Sequence, residues 1–122
     1  MCDLADSLIH EHRHQKLYLL QRLVPLVSCD TPLVPSPWRE DLRPPSGLLH
    51  AVFVFTHLLE FWLHLSKHSL VNQGKAERQV EIIQSRLLEG LGTLKSTSLT
   101  EVGSSLVDRL ESILKNSVEI HV

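Results

Sequence analysis

The chain has 122 residues, 43% hydrophobic and 21% charged, with a formal charge of -2. That is the composition of one folded globular domain, able to bury roughly two thirds of its unfolded surface, and it excludes wholesale disorder. Twelve basic residues stand against fourteen acidic ones without forming a basic run, which argues against nucleic acid and anionic membranes as partners, since both require a positive patch.

Cys2 and Cys29 are too few for a disulfide framework, and the sequence shows neither a charged-then-apolar leader nor an N-x-Ser/Thr sequon. The compartment expected from these features is intracellular and reducing, cytoplasmic or nuclear.

A first helix is expected over 3–24, capped by Asp3 or Asp6 and closed by Pro25. Leu4, Leu8, Leu19, Leu20 and Leu23 share a face that His12, Arg13 and Lys16 interrupt. All six prolines then fall between Pro25 and Pro45. Proline lacks an amide donor and biases its predecessor to extended backbone, so 25–47 reads as a connection that is neither helix nor central strand. Leu33, Val34, Trp38 and Leu42 would lie over the helices as a strap; the alternative is a polyproline docking segment around Pro32-x-x-Pro35.

The central helix is expected over 48–71, with Ser46 as its cap and Asn72, Gln73 and Gly74 as its stop. At 100° per residue its apolar side chains sweep roughly 200°, about twice an ordinary amphipathic stripe, so it must be covered on two sides. A strand is rejected because the apolar run is long and does not alternate. A membrane span is rejected because His50, Thr56, His57, Glu60 and His64 interrupt it.

Over 75–94, Ala76, Val80, Ile83, Leu87, Leu91 and Leu94 repeat at steps of three and four, predicting an amphipathic helix whose last turn Gly90 and Gly92 weaken. Ser98 and Glu101 have capping-box spacing and open a helix over 98–116, with Leu99, Val102, Leu106, Leu110, Ile113 and Leu114 on one face. The tail Val118, Ile120, Val122 alternates, as a short extended or frayed segment would. Together these elements predict an all-α domain, a four-helix bundle or similar helical domain with one long proline-rich connection and little or no sheet.

Eight histidines are the compositional outlier. His57, Glu60, His64 and His68 fall on successive turns of one helix face, and His10 with His14 repeats the i,i+4 spacing that brings two imidazoles to one metal. Zinc or iron held between helices is therefore chemically permitted. The ferritin-like order Glu-x-x-His is absent, however, and the stripe reads more readily as a polar seam or interface. No serine or cysteine has a nucleophile context, so no catalytic residue is assigned and no enzyme activity is expected.

The apolar excess points to association instead. Trp38, Phe55, Leu59, Phe61 and Trp62 are the expected partner-binding residues, because large aromatics dominate interface centres. The expectation is a non-enzymatic protein–protein interaction domain, self-associating or a subunit of a larger assembly, in which Trp62→Asp leaves a folded monomer. A histidine metalloprotein and a carrier of apolar ligands or lipids are the alternatives.

Overall fold

The computed structural model describes Arg13, Lys16 and residues 25–68 and 73–121. Its elements are β1 (Val34–Ser36), β2 (Arg39–Arg43), α1 (Pro45–His68), α2 (Gln73–Lys95) and α3 (Glu101–His121). The four-helix expectation is corrected: the described residues form three helices and a two-stranded antiparallel sheet, and the chain is predominantly helical. Apart from Arg13 and Lys16, the helix expected over 3–24 lies outside the described residues, as do His10 and His14.

The hairpin corrects the reading of the proline-rich stretch as a connection without strands, and the reason is positional. Val34 pairs with Arg43 and Ser36 with Arg39, with an irregularity between Val34 and Ser36 where Pro35 sits. A proline is tolerated at such a point because the ladder asks no amide of it. Pro37 is the second residue of the turn Ser36–Arg39, where its fixed φ favours reversal. Val34 and Ser36 are buried while Arg39, Glu40, Asp41 and Leu42 face solvent.

Pro45 takes the first helical position of α1, where a missing amide costs nothing. The amides of Gly47 and Leu48 donate to the Pro44 carbonyl at 2.9 and 3.1 Å. Ser46, the expected cap, instead donates from its amide and its hydroxyl to the Asp30 carboxylate, both at 2.8 Å. Asp30 thus satisfies the free end of α1 and sets a negative charge at its positive pole.

The central helix is the core of the molecule, as its width requires. Leu48, Leu49, Val52, Val54, Leu58, Leu59, Trp62 and Leu63 are buried. α1 is long and apolar enough to cross a bilayer by length and composition, yet these side chains are enclosed by the chain's own α2, α3 and β1. The hydroxyls of Thr56 and Ser66 donate back to the carbonyls of Val52 and Leu63 at 2.7 and 2.8 Å, so their burial leaves no orphaned donor.

All six apolar positions expected on α2, Ala76 to Leu94, are buried. Gln73 and Gly74 belong to its first turn rather than to a stop. At its far end Ser96 and Thr97 donate from amide and hydroxyl to the carbonyls of Thr93 and Leu94.

The cap of α3 is Thr100, not Ser98. The Thr100 hydroxyl accepts the Gly103 amide at 3.0 Å and donates to the Pro25 carbonyl at 2.7 Å. The chain segment around Leu26 runs against this end: the Thr100 amide donates to the Leu26 carbonyl at 3.0 Å and the Ser28 amide to the Ser98 carbonyl at 2.8 Å. Leu26 is buried, and its backbone passes where a side chain on Gly103 would stand. α3 buries Gly103, Val107, Leu110, Leu114 and Ser117, with Leu106 and Ile113, and Leu99 just before it, half-buried against the core; of the expected face Val102 alone is exposed, at 45%. Its tail stays helical to His121. Glu111 pairs with Lys95 of α2 and lies 3.7 Å from Lys115, one turn further along α3.

Candidate interaction surface

The five residues expected to bind a partner separate into two groups. Leu59 and Trp62 are within the core, Trp62 only 2% exposed. Phe61 is half-buried, its ring edge-on to Trp62 at 5.1 Å between centroids and 72° between planes. Trp38 and Phe55 meet at the hairpin end of the molecule, stacked at 4.6 Å with 9° between planes, both half-buried.

That stack exists because three elements converge on it. The turn places Trp38 over α1, where Phe55 and Val52 stand, and α2 approaches closely because Gly90 has no side chain. A β-carbon at Gly90 would stand 3.0 Å from Val52 Cγ2 and 3.4 Å from Trp38 Cζ3. The gap left between hairpin and helix is a cavity of about 320 Å³, walled by Trp38, Phe55 and Ala51 and rimmed by Ser36, Arg39 and Arg43. Leu33 and Leu42 on the same hairpin are 51% and 55% exposed.

Arg39 and Asp41 sit two apart on one strand face and form an ion pair, Nε to Oδ1 at 2.9 Å with a second contact at 3.4 Å. The hydrogen bond to the guanidinium lowers the Asp41 carboxyl below its usual range, and the same bond raises Arg39. Arg43 makes no ion pair among the described residues. Its Nε and Nη2 lie 3.5 Å from where a β-carbon on Gly47 would be, along the first turn of α1. Arg39 and Arg43 were not singled out from the sequence. The alternation Arg39-x-Asp41-x-Arg43 beside Trp38 carried the signal, but it is legible only once the stretch is taken as a strand.

The histidine stripe divides into two pairs. His57 Nδ1 donates to Glu60 Oε1 at 2.9 Å, and its ring lies edge-on to Phe53 at 4.9 Å. His64 and His68 are in ring contact at 4.4 Å, both exposed, beside a second cavity of about 400 Å³ between α1 and α3. Among the described residues no three His, Cys, Asp or Glu side chains are grouped to hold a metal ion.

The His57 side chain is only 18% exposed. Burial pushes its pKa below the ordinary imidazole value, Arg13 and Lys16 push the same way, and Glu60 opposes them. A folded-state pKa below the unfolded one means that folding favours the neutral ring. Stability from this group is complete above about pH 6.5, the unfolded value, and is lost as pH falls toward the folded one. The expected result is a melting temperature that drops between pH 7 and pH 5.5 more steeply in the wild type than in His57→Gln. Parallel curves for the two proteins would remove His57 as the cause.

The fold and surface define a class, a helical domain around one largely buried apolar helix with an aromatic and arginine-rich hairpin at one end. Compared with protein-family models and with curated proteins, the chain matches none.

Proposed function

We propose that the chain is a non-enzymatic protein–protein interaction domain and that its docking surface is the hairpin end. The observation that carries this reading is the half-buried Trp38–Phe55 stack set beside Arg39 and Arg43. Tryptophan and arginine are the residue types that dominate interface energetics, and a stacked aromatic pair in a shallow cavity is a preformed anchor point. Exposed Leu33 and Leu42 extend the surface along the hairpin. The surface differs from the one expected around Trp62 because that side chain is used inside the chain.

Benzoylphenylalanine incorporated at Glu40, an exposed hairpin position, tests the reading. Irradiation should give one adduct of defined mass, with a second protein or with another copy of the chain. Excess unlabelled wild type should suppress it and excess Trp38→Ala should not. The same probe at Ser112, exposed on α3, should give none. Equal adducts at both positions, or equal suppression by both competitors, would refute the proposal.

A further inference from the structure

We infer that the occupant of the hairpin cavity is a short acidic segment of a partner protein, presenting a carboxylate to Arg43 and an apolar side chain to the Trp38–Phe55 wall. This rests on the reading of the hairpin end as a docking surface and adds the chemistry of what docks there.

Charge is the first argument. Arg39 is already held by Asp41, whereas Arg43 forms no ion pair among the described residues, feels Asp41 only through space and lies along the first turn of α1. The partial positive charge of the helix N-terminus is already met by Asp30, so the attraction for a further carboxylate comes from the guanidinium. Asp30 is engaged by Ser46 at that end. A carboxylate is the group that a guanidinium binds bidentately, and beside an apolar wall the pairing is stronger than in open water.

Shape is the second. Gly47 and Ala51 are one helical turn apart on α1 and contribute almost no side chain, which opens the cavity between Arg43 and Phe55. Its volume of about 320 Å³ is at the small end for a ligand pocket and suits one or two side chains of a peptide rather than a large cofactor. A polyanion is disfavoured because Glu40 and Asp41 stand between the two arginines along β2, leaving attraction for one acidic group and not for a run of phosphates.

The test uses the whole chain and acetylated seven-residue peptides in which a central leucine, phenylalanine or tryptophan is flanked by acidic, basic or glutamine residues. Binding is read from the two indole N–H signals, since the chain has two tryptophans. The acidic set should move the Trp38 signal and leave that of Trp62 in place, with at least tenfold preference over the other sets and weakening as salt is raised. Arg43→Gln should reduce affinity at least tenfold, and Ala51→Leu, which fills the cavity without altering charge, should abolish binding.

If the glutamine set binds equally well and moves Trp38, the acidic chemistry is wrong while the docking surface stands. If no peptide moves Trp38 although the Glu40 adduct forms, the peptide inference fails alone. If neither occurs, both fail. A concentration-dependent dimer by light scattering that Ala51→Leu abolishes would assign the cavity to a second copy and overturn the inference.

Discussion

Replacing Gly103 by alanine is expected to destabilise the domain by about 3 kcal/mol, as overpacking combined with a lost backbone hydrogen bond does. The added β-carbon would stand 1.9 Å from the Leu26 carbonyl oxygen and 2.8 Å from its carbon. Those are backbone atoms and cannot turn aside as a side chain does. The Leu26 carbonyl also accepts the Thr100 amide at 3.0 Å, so moving it breaks the pairing that fastens residues 25–28 to the start of α3. The melting temperature should fall by about 12 °C for a domain of this size. Gly92→Ala is the matched control. Nothing lies within 4 Å of its added carbon, so the helix gains propensity and stability rises by up to about 1 kcal/mol. Equal effects at the two glycines, measured by thermal melts, would mean that the Leu26 segment does not pack as described.

Trp62→Ala should cost about 3–5 kcal/mol, the range for a large aromatic removed from a closed core. Trp62 is 2% exposed and is surrounded by the buried leucines of α1, α2 and α3. Trp62→Asp should abolish the fold, because it sets a charge among the buried apolar side chains of the core. This reverses the outcome expected from the sequence, a folded monomer. The helix is as wide as its apolar arc implied, but its neighbours close around it. Circular dichroism at 222 nm settles the matter, since a helical, dispersed Trp62→Asp protein would contradict the core placement.

Much of the helical framework was legible because helix periodicity is a local property. The steps of three and four from Ala76 to Leu94 named the buried face of α2 residue by residue, and the width of the apolar arc marked α1 as central. The caps were less legible. Ser98 and Glu101 have capping-box spacing, but Thr100 caps α3 because its hydroxyl also reaches the Pro25 carbonyl, 75 positions away in sequence. Asp30 caps α1 from 16 positions away. Long-range partners of this kind leave no periodic trace.

The hairpin was missed for a related reason. Proline content excludes a central strand but not a short edge pair, and Pro35 and Pro37 occupy the two places where such a pair tolerates them. Without the hairpin, Arg39 and Arg43 read as solvated charges. The sequence did single out Trp38 and Phe55, but it could not separate them from Trp62 and Leu59, because aromatic character is shared and burial depends on which neighbours arrive.

The central claim is that Trp38 serves recognition rather than only covering the core. The most direct measurement compares Trp38→Ala with the wild type for melting temperature and for the photo-adduct formed at position 40. A protein that remains folded, helical and cooperative in its melt while losing the adduct is the predicted result. A Trp38→Ala protein that keeps the adduct at wild-type yield would contradict the claim, and one that unfolds would show that Trp38 is a structural lid.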